Sequence, residues 1–209
     1  MKNYLFNNGY YPLNNRYYRF ILINFKETNN HHNFLNTLSD ALDAKDSFVI
    51  GDDYSLFYFD QDQDVIKEMF LSLSIDYGII AKAFDSGKID SRRVEDFHGL
   101  YDFYRDFLAK KTYAFANVND LILEVIKTDI KKIKNLRRPV LKDICDNSQI
   151  EKLILSFLRN NLNVTKTAKE VYMHRNTVIN KLEYIKNATG LNIQNFHDAL
   201  CMYWLITIK

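Results

Sequence analysis

Eight polar side chains near the C-terminus have the types and spacing to address a nucleic acid: Thr165, Lys166, Arg175, Asn176, Thr177, Asn180, Lys181 and Tyr184. Arg and Lys donate to guanine O6 and N7 or to phosphates, and Asn pairs bidentately with adenine. Thr165 and Lys166 stand where a preceding helix would start, placed to hold a phosphate near its N-terminal dipole. Such chemistry needs a helix whose opposite face is anchored. Val178, Leu182 and Ile185 recur at i, i+4 and i+7 and turn one face inward, while Thr189-Gly190 supplies a C-terminal stop. The same polar residues could also be the solvated face of an ordinary packed helix, so the neighbouring elements decide how much weight they bear.

Those elements have the right order. SQIEKLILSFLRNN, from Ser148, opens with Ser148 and Glu151 at capping-box spacing and continues with Ile150, Leu153, Ile154, Phe157 and Leu158 on one face, which predicts a supporting helix. Asn163 and Thr165 offer side-chain oxygens for the start of a second helix, with Ala168 and Val171 as its short apolar face. Tyr172 to His174 interrupts, and the helix with the polar face follows from Arg175. Ala168 is small enough for two helices to cross closely, and Met173 and Val178 are placed to fill the corner between them. The stretch from Asn195 to Ile208, with Phe196, Leu200, Tyr203, Trp204 and Ile206, reads as a closing helix. A short helix, a tight turn and a longer helix on a supporting helix is the layout of a helix-turn-helix, whose second member lies in the major groove.

The run NVTKTAKEVYMHRNTVINKL, Asn163 to Leu182, with Thr189-Gly190-Leu191 after it, resembles the C-terminal helix-turn-helix of the PucR/CdaR family of bacterial transcriptional regulators. In that family a His-Arg-Asn-Thr-apolar signature opens the recognition helix, here His174 to Val178. The resemblance covers residues 148 to 208 and extends, more distantly, to the Fis-type helix-turn-helix. It implies double-stranded DNA as partner. Tyr172 departs from the many such turns that use Gly, and a positive φ there would carry a small strain.

The front half reads as α+β. YYRFILINF (17–25) is strand-like, HNFLNTLSDALDA helical, and SFVIGDDYSLFYF holds two strand-like runs about a Gly-Asp-Asp turn. DVIKEMFLSLSI then reads as helix and YGIIAKAF as strand. The order is βαββαβ, a ferredoxin-like sandwich with helices on one face of an antiparallel sheet. A further helix is expected over 90–110 and an edge strand at TYAFANV. This order, with IGDDY from Ile50 to Tyr54 in the central hairpin, resembles a degenerate GGDEF domain, of the kind found ahead of the helix-turn-helix in PucR/CdaR-like regulators. A working cyclase of that type needs paired carboxylates to hold magnesium against a nucleotide's phosphates. Here the first strand, Phe20 to Lys26, offers no acid, and Ile50 replaces the hairpin's first glycine. Asp52 and Asp53 therefore read as turn formers, and no enzyme is expected.

Other constellations carry no chemistry. DQDQD (60–64) imitates a calcium loop, but Val65 and Leu71 occupy the positions that require Gly and the bidentate Glu, so a solvated helix start is the better reading. The five histidines lack ligand spacing, and Cys145 and Cys201 form no CxxC pair, so neither a metal nor another cofactor is expected. No apolar run approaches the roughly 20 residues that span a bilayer, and the N-terminus lacks a signal-peptide core. A cytosolic protein without membrane contact is expected.

Charge divides the chain. Residues 1 to 124 carry 13 Lys and Arg against 19 Asp and Glu, whereas 148 to 209 carry 8 against 4. Between them lies a basic run, Lys131, Lys132, Lys134, Arg137 and Arg138, which reads as a solvated linker ended or kinked by Pro139. The expected organisation is an α+β domain over 1–120, a connecting helix and basic linker over 121–147, and an all-α helix-turn-helix domain over 148–209. A single reading head covers few base pairs, so a homodimer is expected, paired through the front domain or relaying a signal from it. The competing reading is a protein-interaction module that kept the helical fold without binding DNA. No residues for a small-molecule effector are identifiable.

Overall fold

The computed structural model describes residues 1–26, 31–59 and 63–208, and the chain divides into two compact units, Met1–Leu121 and Ile122–Lys209. In the first, α1 (Lys2–Phe6) precedes β1 (Tyr17–Phe25), α2 (His31–Ala41), β2 (Asp46–Ile50), β3 (Asp53–Tyr58), α3 (Gln63–Asp76), β4 (Ala81–Asp85), β5 (Ile89–Asp90), α4 (Val94–Phe103) and β6 (Phe115–Asn117). The sheet runs β2-β3-β1-β4-β6, with β5 also paired to β1. The β1–β3, β1–β4 and β2–β3 pairs are antiparallel and the β4–β6 pair is parallel, so TYAFANV does supply an edge strand.

The central strand β1 is buried from Tyr18 to Ile23, on both faces of the sheet. A strand covered on both sides reads as a nearly continuous apolar run rather than an alternation, which is the pattern of YRFILI (18–23), where the buried Arg19 is paired with Asp85. One face presents Ile21, Ile23, Leu56, Tyr58 and Ala83 to Phe34 and Leu38 of α2 and Ile66 and Phe70 of α3. The expectation of helices on one face only is corrected by the other: Phe20 meets Phe97 of α4 with ring centroids 4.9 Å apart, and Phe84 stacks on Tyr104 at 5.1 Å. The even-numbered aromatic residues of β1 would otherwise lie in water, and a second helical layer removes them from it. That layer starts at Val94 and continues past Phe103 as a π-helical turn, Tyr104–Leu108, which places Tyr104 and Leu108 inward.

The hairpin differs from expectation at one residue. Gly51, at φ +60, and the exposed Asp52 make the turn, but Asp53 is the first residue of β3, paired with Ile50 and only 6 % exposed. The Tyr104 hydroxyl donates to its Oδ1 at 3.2 Å. Burial pushes the Asp53 carboxyl up, against the pull of Asn24, Tyr104 and Lys82. Of the DQDQD segment, residues 60–62 lie outside the described residues, and Asp64 falls in the first turn of α3.

The second unit contains most of α5 (Val118–Asp129), a 3-10 turn (Ile130–Lys132), α6 (Ile133–Leu141), a second 3-10 turn (Lys142–Ile144), α7 (Ser148–Arg159), α8 (Val164–Glu170), α9 (Arg175–Thr189) and α10 (Phe196–Thr207). The basic stretch expected as a solvated linker is part of this unit. Ile133, Leu136, Val140 and Leu141 are buried, because the basic run is amphipathic at helical spacing and its apolar half has a partner in the bundle. Lys131, Lys134 and Arg138 remain exposed. Pro139 neither ends nor breaks α6 at its own position; the helix stops at Leu141, where Lys142 takes φ +51. None of the described helices is long and apolar enough to cross a membrane.

Candidate nucleic-acid interface

The helix pair is built from its caps outward. Asn163 Oδ1 accepts the N–H of Lys166 at 3.0 Å and starts α8, so Asn163 rather than Thr165 is the cap. Likewise Asn147, not Ser148, caps α7 by accepting from Ile150 at 3.1 Å. An asparagine with extended backbone just before the helix satisfies one of the first-turn donors better than a serine already inside it. Within α8, Thr167 and Ala168 are buried, and the helix packs on α9.

The turn between the helices closes through Val171 N–H to Thr167 O at 2.9 Å and Met173 N–H to Ala168 O at 2.9 Å. These bonds place Tyr172 at φ +53 with its ring 96 % exposed. The position suits Gly, and Tyr occupies it with strain. His174, read from the sequence as the end of the interruption and the first residue of the family signature, caps the next helix: its Nδ1 accepts from Asn176 N–H at 3.2 Å. The helix ends as expected, at Gly190 with φ +81.

On α9, Val178, Leu182 and Ile185 are buried, each at or below 3 % exposure. The opposite surface carries the residues singled out for chemistry. Arg175, Asn176 and Thr177 occupy its first turn and are exposed, Asn180 and Tyr184 are exposed further along, and Lys181 is half-buried at the edge of the stripe. Thr165 and Lys166 are exposed in the first turn of α8, which packs on α9. Seven of the eight thus stand on open surface and the eighth at its margin, with none used as core.

Two cations that sequence reasoning left in the linker hold the far ends of this bundle. Lys142, 5 % exposed, donates from Nζ to Ala188 O in the last turn of α9 at 3.0 Å. Arg137 donates from Nη1 to Leu205 O at 2.6 Å and Ile206 O at 2.9 Å, at the end of α10. Both meet carbonyls that a helix C-terminus leaves unpaired. No periodicity in the sequence signals them, since each lies far along the chain from the helix it caps. The closing helix also turns differently from its expected face: Ala199, Met202, Leu205 and Ile206 are buried, while Phe196 is 77 % exposed.

The segment that matches a known family begins inside α7 and ends after α10. Residues 152–208 match the PucR C-terminal helix-turn-helix domain. The chain is 32% identical over 89 residues to the carbohydrate diacid regulator of Escherichia coli (strain K12), a match that covers 40% of this chain and 23% of that protein. It is 29% identical over 85 residues to the uncharacterized protein YxkF of Bacillus subtilis (strain 168), covering 41% and 28%. The matched part therefore spans about a quarter of each curated relative. Among solved structures, the regulator of polyketide synthase expression from Bifidobacterium adolescentis aligns with a TM-score of 0.42 at 13% identity, over 94% of this chain and 82% of that one. The match takes in most of α7 and all of α8 to α10, whereas α6 with Arg137 and the following turn with Lys142 lie outside it.

In the first unit, no group of three His, Cys, Asp or Glu side chains that could hold a metal lies among the described residues. Asp53 is tied to Tyr104, and Asp85 is buried against Arg19 and accepts from the Tyr58 hydroxyl at 2.6 Å.

Proposed function

We propose that this chain is a DNA-binding transcriptional regulator that reads the major groove with α9. The observation that carries the reading is the division of that helix into a buried apolar face and an open face of Arg175, Asn176, Thr177 and Asn180, inside a PucR-type domain. Arg175 and Asn180 address base edges; Asn176, Thr177, Lys181 and Tyr184 flank them; Thr165 and Lys166 meet backbone phosphates and set the register. The protein acts in the cytosol on double-stranded DNA and as a homodimer, since one such head discriminates too few base pairs.

The first unit is non-catalytic in this reading, a ferredoxin-like sandwich of the degenerate GGDEF-like kind that pairs two copies or relays a signal. Support comes from the antiparallel order β2-β3-β1-β4, with α2 and α3 as crossovers, and from a first strand without an acid.

The test is recovery and sequencing of fragmented bacterial genomic DNA bound by the purified chain, beside an Arg175→Ala, Asn180→Ala double variant. A shared inverted-repeat site, lost in the variant, is the expected result. Single substitutions at Arg175 or Asn180 should relax discrimination by about 1 to 3 kcal/mol, whereas Lys166→Ala weakens all sequences alike and lowers the salt slope by about 1. Binding without a site, or no binding, would instead favour a protein-interaction module.

A further inference from the structure

The closing helix α10 is apolar on more than one side. Ala199, Met202, Leu205 and Ile206 are buried, and the helix packs on α6 and α7. Its outward side carries Phe196, Leu200 and Tyr203 at i, i+4 and i+7. Phe196 is 77 % and Tyr203 43 % exposed, and Leu200 and Trp204 are half-buried beside them. A surface helix ordinarily turns charged and polar residues to that side. This one contains no Lys, Arg or Glu, and its one acid, Asp198, is buried and accepts the N–H of Asn192 at 2.7 Å. Whatever covers the stripe is therefore apolar itself. The stripe also reads nearly the same in both directions: from Leu200, a ring lies four residues back at Phe196, and rings lie three and four residues on at Tyr203 and Trp204. That is the self-complementarity a two-fold contact requires of a single helix, with Leu200 on the axis.

We infer that a second copy of this chain covers the stripe: α10 of one protomer packs antiparallel on α10 of its partner, Leu200 against Leu200 and Phe196 against the end that carries Tyr203 and Trp204. The inference rests on the reading of the chain as a paired regulator, and it adds a contact between the two second units. Area selects the occupant. The two exposed rings leave about 250 Å² per copy, so pairing removes about 500 Å² of aromatic surface, less than half of the roughly 1,200 Å² at the low end for a self-standing interface. A free partner of another kind would not be held by so little. A second copy already attached, through the first unit or on the adjacent half-site, meets the stripe at a high effective concentration, and a small apolar contact then suffices. The stripe shares no residue with the open face of α9, so pairing leaves that face available.

Cysteines placed singly in the full-length chain test the pair, with Cys145→Ser as background and Cys201 buried. Leu200→Cys puts two thiols at the axis, within the Cα separation of about 4.4 to 6.8 Å that a disulfide needs. Thr207→Cys is more exposed but lies further along the helix, so its two copies stand about 20 Å apart across an antiparallel pair. Each variant is oxidised at micromolar concentration, alone and with the duplex recovered from the genome, and the covalent dimer is followed by denaturing electrophoresis. The expected result is linkage at Leu200→Cys at least about tenfold faster than at Thr207→Cys. Adding Phe196→Glu removes most of that advantage while Tm stays within about 2 °C. A mixture of His197→Cys and Tyr203→Cys chains, both at exposed positions, should link one to the other, which reads the same pair should Leu200→Cys unfold. Faster linkage at Thr207→Cys in line with its exposure, equal rates, or rates indifferent to Phe196→Glu would overturn the pair. Sedimentation of the wild type separates the two readings. A dimer that fails to link at these positions overturns the α10 contact and leaves the paired regulator standing; a monomer with and without duplex overturns both.

Discussion

Tyr172 holds a left-handed backbone conformation with its ring in solvent, and no packing of the ring offsets that strain. A non-glycine residue there costs about 1 to 2 kcal/mol, and glycine in its place adds about 0.5 to 1 kcal/mol of freedom to the unfolded chain. Tyr172→Gly should therefore stabilise the second unit by about 0.5 to 1 kcal/mol, a rise of a few degrees in Tm. Trp204, the single tryptophan, lies in α10 and reports this unit selectively. A Tm at or below wild type would mean that the ring makes a compensating contact in solution. Asp53 is the counterpart in the first unit: a residue of turn-forming type that the pairing with Ile50 takes into a strand.

At the scale of elements, stability depends on what meets the helix ends and the short strand. Lys142→Met keeps the buried stem and removes the donor to Ala188 O, leaving a carbonyl of α9 unpaired; the expected loss is about 1 to 3 kcal/mol in denaturant unfolding followed at Trp204. No change would show that water replaces the ammonium. β5 is anchored differently, by Asp90, which accepts from Arg16 at 2.8 Å and Arg92 at 2.7 Å. Burial alone pushes this carboxyl up, and the hydrogen bonds from Arg92 and Arg16 reverse the effect and hold it well below the usual carboxylate range. A lowered pKa in the fold means that the ionised form is favoured by folding. Its contribution is present above the ordinary carboxylate value, about 4, and fades as pH falls below it. Asp90→Asn should cost about 2 kcal/mol at pH 7, with the gap to wild type narrowing below pH 4. A gap independent of pH would mean that Asp90 acts by shape alone.

At the scale of the whole molecule, the two units make a prediction about where the second begins. Residues 148–209 cover the helix-turn-helix but omit the buried Ile133, Leu136 and Val140 and the caps from Arg137 and Lys142. A chain of that length is marginal without them. A fragment of residues 122–209 should melt cooperatively, and one of 148–209 should melt more than about 10 °C lower or not cooperatively. Equal melting temperatures would return the basic helix to the status of a linker. The charge asymmetry acts at this scale too, because the basic residues concentrate in the second unit, which is the one proposed to meet a polyanion.

Local chemistry made much of this legible in the sequence. The helix face of Val178, Leu182 and Ile185, the glycine stop at Gly190 and the βαββαβ order each rest on residues close together in the chain, where periodicity and backbone preference act directly. The open face from Arg175 to Tyr184 follows from the same periodicity, since whatever is opposite a buried stripe is exposed. Tertiary structure alone decided the second helical layer on the sheet, the burial of Asp53, the inward face of α10, and the capping of α9 and α10 by Lys142 and Arg137. Those features depend on partners tens of residues away, and a basic amphipathic run is the same sequence whether its apolar side finds a bundle or stays in water.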